Sequence, residues 1–149
     1  MLKKAIFCLS LLATASSAYA NEAIAYKDEF EGQYVQCIED KLDSDCWSKV
    51  FSGHFDNWQL KEKDLISKSQ TALSTWIGKH DIYKVHLSPK ETKGEVFENR
   101  AYLIERDDGQ LMGLHIGFRQ IKGQWYVYEL MTDTDDAFIR AILNMPKIK

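Results

Sequence analysis

Leu111-Met112-Gly113-Leu114-His115-Ile116-Gly117-Phe118-Arg119-Gln120, followed after the turn Lys122-Gly123 by Trp125-Tyr126-Val127-Tyr128-Glu129-Leu130, decides the architecture. In the first run the residues alternate strictly. Met112, Leu114, Ile116 and Phe118 face one way and Gly113, His115, Gly117 and Arg119 the other, which is the period of a strand with one buried face. The second run is apolar on both faces, so a central strand is expected there. Moving upstream, Asp108-Gly109 is a two-residue hairpin signal, and Val96 to Glu105 supplies its first strand. Pro89 to Gly94 reads as a polar loop, and Tyr83, Val85 and Leu87 mark a further strand before it.

Upstream of Asp81 the period changes from two to three and four. Phe30, Tyr34, Cys37, Ile38 and Leu42 predict an amphipathic helix over about residues 24–42. Trp47, Val50, Phe51, Phe55 and Trp58 predict a second helix, capped by Asp43 or Ser44 and interrupted near Gly53. Leu65, Ile66, Ser69, Leu73, Trp76 and Ile77 predict a third, stopped by Gly78. Downstream of the sheet, Thr132 to Asp136 offers caps and acidic first-turn residues for a closing helix over Ala137 to Met145, ended by Pro146. The order is helices, an antiparallel meander of about four strands, then a helix: an α+β domain with helices packed on a curved sheet.

The chain has 149 residues, of which 45% are apolar and 28% charged, a globular composition. Its first twenty residues read as an export signal. Lys3-Lys4 gives a positive start, Ala5 to Ala13 a short apolar run, and Ala18-Tyr19-Ala20 the small-x-small pattern at which signal peptidase cuts. The mature chain is therefore expected to begin at Asn21 and to form one domain over residues 21–149. Phe7 stands before Cys8 where a lipoprotein signal needs a small residue, so lipidation is not expected. The address implied is periplasmic, or secreted.

The mature chain carries 17 basic residues (19 less Lys3 and Lys4) against 22 acidic ones, a charge of −5. That balance excludes a nucleic-acid partner, which needs a basic footprint. No mature segment approaches the roughly 20 apolar residues of a membrane span. Cys37 and Cys46 remain as an even pair, read as a disulfide in an oxidising compartment, with a redox pair as the alternative.

The chain resembles the NTF2-like cone fold, on the strength of Asp108-Gly109-Gln110 and of Phe118-Arg119-Gln120-Ile121-Lys122-Gly123-Gln124-Trp125-Tyr126-Val127-Tyr128-Glu129-Leu130. The likeness covers residues 96–145. Within that superfamily it is similar to the periplasmic Mla/toluene-tolerance lipid-shuttle proteins, which close with a Gly-x-Trp-x-Val-Tyr strand before a last helix. The resemblance implies a cone-shaped cavity. It also implies either non-catalytic carriage of a small apolar ligand or, as in some relatives, isomerase or dehydratase chemistry.

Motifs for chemistry are sparse. His54, His80, His86 and His115 form no His-x-x-x-His or His-Glu-x-x-His pair, so no metal or cofactor is expected. There is no Gly-x-Ser-x-Gly elbow. What stands out is one strand face. If the sheet curls, Gly113, His115, Gly117 and Arg119 line its concave wall, the glycines leaving room for a ligand. Glu129 and Arg100, on neighbouring strands, reach the same wall, and His115 with Glu129 makes an acid–base pair. The other reading of this face is solvated, with glycines that admit a helix. Three functions follow: a non-catalytic binding module, an immunity or inhibitor protein whose acidity speeds capture of a basic exported target, or a small cavity enzyme.

Overall fold

A computed structural model describes residues 21–56 and 61–146; the expected leader, Trp58 of the second helical run and the last three residues lie outside them. Over the described residues the chain is α+β, with four α-helices and a curved antiparallel sheet of five strands. The helices are α1 (Lys27–Glu39), α2 (Cys46–Phe51), α3 (Glu62–Ile77) and α4 (Asp136–Ile142). The strands are β1 (Ile82–Leu87), β2 (Glu91–Lys93), β3 (Phe97–Arg106), β4 (Leu111–Ile121) and β5 (Gln124–Asp133). They lie in the order β1-β3-β4-β5, with β2 also on β3. The segment Pro89–Gly94, expected as loop, thus contains a short fifth strand whose Glu91, Thr92 and Lys93 pair with Asn99, Glu98 and Phe97.

β5 ends the order rather than standing in the middle of it. Its apolar residues are accounted for at its outer edge. There Ile24 bridges Trp125 and Phe55 bridges Val127, so segments flanking the helices cover an edge that would otherwise be open. The core forms where α1, α2 and α3 share contacts with the apolar face of the sheet. Tyr34, Trp47, Phe51, Leu73, Ile104, Leu114, Ile116 and Phe118 are fully buried there. Phe30 packs edge-on to Phe118 at 6.2 Å between ring centroids. The fully buried indole of Trp47 is satisfied, because its Nε1 donates to Ser69 Oγ at 2.9 Å.

α2 is shorter than expected and has a different start. Leu42, Ser44 and Asp45 all lie at positive φ, around a single 3-10 turn over Asp43–Asp45, and neither Asp43 nor Ser44 caps the helix. The turn is tight because a disulfide joins Cys37 to Cys46 across it, with 5.7 Å between their Cα atoms. α4 starts as expected: the Asp135 carboxylate accepts from the amides of Ala137 and Phe138.

A cluster of charged groups sits within the helix–sheet contact. The Arg100 guanidinium, on β3, is 2% exposed and reaches Glu98 at 2.6 Å, Asp28 at 3.1 Å and Glu31 at 3.2 Å, the last two on α1. Lys27 also bonds Glu98, and the Tyr102 hydroxyl donates to Glu31 at 2.6 Å while accepting from Tyr34. Burial alone would raise the Glu98 carboxyl, but the bonds from Lys27 and Arg100 hold it below its usual range.

Two outcomes follow. Cys46→Ser should lower stability by about 2–3 kcal/mol, the entropy of a ring of about ten residues; a denaturant titration of wild type and variant measures it, and a wild-type midpoint unchanged by reductant refutes it. Glu98, with a folded pKa below its unfolded 4.5, stabilises the fold above that pH and stops doing so as pH falls through its lowered value. Glu98→Gln should therefore be less stable than wild type at pH 7. Its acid unfolding limb should also be shallower by up to one proton, about 1.4 kcal/mol per pH unit.

Candidate functional site

Two small offsets in strand pairing determine which residues meet on the face opposite the core. The first lies at the β3–β4 hairpin. A two-residue Asp108-Gly109 turn would place Arg100 opposite Gly117. Instead, the Arg106 amide bonds the Gln110 carbonyl, enclosing Asp107, Asp108 and Gly109 in a three-residue loop with Gly109 at φ +79°. The shift of one residue moves every β3 side chain to the other face. Arg100 pairs with Ile116, on the core side, and Asn99 and Ala101 take the places opposite Gly117 and His115. Arg100 is thus absent from the His115 wall; it is the buried anchor of α1.

The second offset is a β-bulge in β5. The Lys122-Gly123 turn has positive φ at both residues, as a two-residue hairpin requires, and from it the register runs regularly to Phe118↔Val127. Continued without interruption, it would put Glu129 opposite Ile116 and inside the core. Tyr128 is the extra residue, so Gly117 pairs with Glu129 and His115 with Met131. The bulge is possible because Gly117 has no side chain: a Cβ there would fall within the Tyr128 ring. Tyr128 packs edge-on to Phe97 at 5.2 Å between ring centroids.

The face then reads in two rows across three strands. Asn99, Gly117 and Glu129 form one, and Ala101, His115 and Met131 the next. His115 Nδ1 lies 3.3 Å from Glu129 Oε2. The hydrogen bond from His115 holds the Glu129 carboxyl below its usual range, against the opposing effect of burial. Beside these rows α4 lies against β4. A Cβ on Gly113 would come within 2.9 Å of Ile142 Cδ1 and 3.0 Å of Phe138 Cε1, so this glycine admits the helix rather than a ligand. On the far side stands the segment from Pro89 to Lys93, joined to the end of α4 by a hydrogen bond from Asn144 to Glu91.

Between α4, that segment and the two rows lies a cleft of about 290 Å³. Its floor is Asn99, Ala101, His115, Glu129 and Met131, and its apolar wall is Phe138, Ala141 and Ile142. Asn99 Oδ1 is buried and has no hydrogen-bond partner among the described residues. The sequence candidates therefore divide. His115 and Glu129 line the cleft, the two glycines are filled by α4 and Tyr128, and Arg119 lies outside it with its guanidinium 3.5 Å from the buried Asp56 carboxylate. Asn99, Met131 and Phe138 were not anticipated. The first two follow only from the loop length and the bulge, the third only from the seating of α4.

Elsewhere, His80, Asp107 and Asp108 hold potential ligand atoms within 4.8 Å of one another at the β3–β4 hairpin. These groups are already engaged: His80 bonds Asp107 at 2.9 Å, and the Arg106 guanidinium clasps Asp108. They form a solvent-facing ion-pair cluster. No helix among the described residues is long and apolar enough to cross a membrane.

No family model matches the chain, and no curated protein matches it. Among solved structures, the crystal structure of a DUF4783 family protein from Bacteroides ovatus is similar at 9% identity, with a TM-score of 0.44, over 68% of this chain and 91% of that one.

Gly117→Ala should cost about 1–3 kcal/mol, because the Tyr128 ring must leave its seat. The cost should shrink in a Tyr128→Ala background, where the ring is already gone. A double-mutant cycle by chemical denaturation reads the coupling, and strict additivity would contradict the bulge contact.

Proposed function

We propose that this protein is an exported, non-catalytic binding module of NTF2-like type that holds a small molecule in the cleft between α4 and the sheet. The observation that carries this is the cleft itself, with the His115–Glu129 pair in its floor. The volume lies just below the roughly 300–1,000 Å³ typical of ligand clefts, which suits a single ring or a short chain rather than a two-tailed lipid. The lining is mixed, so the ligand is amphipathic rather than purely apolar. The Cys37–Cys46 disulfide fits an oxidising compartment, and with the leader-like first twenty residues it supports export to the periplasm or beyond.

A second reading has one specific observation behind it. His115 Nδ1 bonded to Glu129 is the arrangement of an oriented base, with the second ring nitrogen available to a substrate. On that reading the cleft is a small active site of the isomerase or dehydratase kind.

Native mass spectrometry of protein purified without denaturation from a periplasmic extract separates these readings. A retained small molecule, reduced in His115→Ala but kept in Arg119→Ala, is the expected result. Turnover of an added substrate that disappears in His115→Ala would favour the enzyme. A protein that co-purifies stoichiometrically, with the cleft empty, would favour the immunity or inhibitor role.

A further inference from the structure

The helix that walls the cleft is held in place by very little. α4 has seven residues. A helix shorter than about 12 residues does not hold in water by itself, so its stability must come from packing. Yet none of its residues is buried. Its apolar anchors, Ile142 and Phe138, stand one turn apart and converge on one glycine, where a Cβ of Gly113 would meet them at 2.9 and 3.0 Å. Its polar bonds are largely its own. Asp135 accepts from the Ala137 and Phe138 amides, Arg140 bonds Asp136 at 2.7 Å, and the Arg140 carbonyl accepts from the Met145 amide. All of these travel with the helix. Among the described residues, the bond from the Asn144 side-chain amide to the Glu91 carboxylate is the one that ties the end of α4 to another element.

Glu91 belongs to the opposite wall. Its strand, β2, is three residues long, and no residue from 89 to 96 is buried. Glu91 and Asn144 both line the cleft, so their bond joins one wall to the other. At the other end of α4 only Thr134 and Asp135 separate the helix from β5, and both are exposed. In the floor, the His115 side chain is 13% exposed, against 30% for His80 and 41% for His86 outside the cleft.

We propose, resting on the binding reading above, that α4 is the lid of this cleft. It lifts as a unit about Thr134 and Asp135 when the Asn144–Glu91 bond opens, and it reseats Phe138 and Ile142 over Gly113 when that bond re-forms. The lid contributes no buried side chain to the core, so lifting it leaves the sheet and α1–α3 in place. What opening gives up is the contact of two apolar side chains and one surface hydrogen bond. Segments held by so few contacts open locally, at far less than the cost of global unfolding.

The test uses the full mature protein and needs no ligand. Diethyl pyrocarbonate modifies accessible imidazoles, and mass spectrometry locates each modified residue. Glu91→Cys combined with Asn144→Cys, joined after folding by bismaleimidoethane, holds the lid shut. In the joined protein His115 should be modified about tenfold more slowly than in wild type. In Asn144→Ala, and in the unjoined double variant, it should be modified at least as fast as in wild type, because both lack the latch. His80 and His86 should react alike in all of them. Equal His115 rates in the joined and wild-type proteins would overturn the lid. So would a His115 that stays unmodified in wild type while His80 and His86 react. Either result leaves the cleft reading to native mass spectrometry, where it fails separately if no small molecule is retained.

Discussion

Arg100 is a permanent charge placed where water does not reach, and the arrangement of the helices around the sheet answers to it. A guanidinium in such a place is tolerated only when carboxylates and hydrogen-bond acceptors surround it. Glu98 comes from its own strand, while Glu31 and Asp28 come from α1. The helix is therefore tied to β3 at its N-terminal half by charge, and at its C-terminal half by the disulfide to α2 and by the packing of Tyr34 and Ile38. Charges are matched within the group. Lys27 joins Glu98, Lys90 joins Asp28, and Tyr102 closes the remaining side of Glu31. Ion pairs of this kind add little net stability over apolar packing, but removing one partner strands the others. Their effect is to select one seat for α1 among the many that an apolar stripe would permit.

With one face of the sheet committed to α1–α3, the other is free to carry a site. What it carries depends on two local irregularities. The three-residue loop after β3 sends Arg100 inward and Asn99 outward; the bulge at Tyr128 sends Glu129 outward to meet His115. The two are linked through Gly117, which is flanked by Asn99 and Glu129 in register and vacated by its own lack of a side chain for the Tyr128 ring. Gly113 does the same on the other side of His115, where its missing side chain makes room for α4. The space above both glycines of the strand is thus filled by protein, and the cleft lies beside them, over Ala101 and His115.

Much of the architecture was legible as periodicity. The switch from helical to alternating spacing near Asp81 placed α1, α3 and the long strands to within a few residues. The Asp135 cap and the Lys122-Gly123 turn behaved as their residue types require. Short elements were less legible. β2 has three residues and no pattern of its own, because it exists through its pairing with β3. The early end of α2 reflects Phe55 leaving the helical path to bridge β5, a contact with residues far along the chain.

The sequence by itself determined the secondary structure class, the paired cysteines and the alternation that sets His115 apart from the core, since each of these rests on local residue types or on a short repeat. Tertiary structure alone decided which residues stand beside His115. A pairing offset of one residue reverses the face of a whole strand segment, and here the first offset lies in whether Asp107 joins a turn, the second in whether Tyr128 bulges. Neither changes the hydrophobic pattern enough to be read from it. Both are settled by what the helices and the neighbouring strands bury: Arg100 against the acids of α1, and the Tyr128 ring in the space above Gly117.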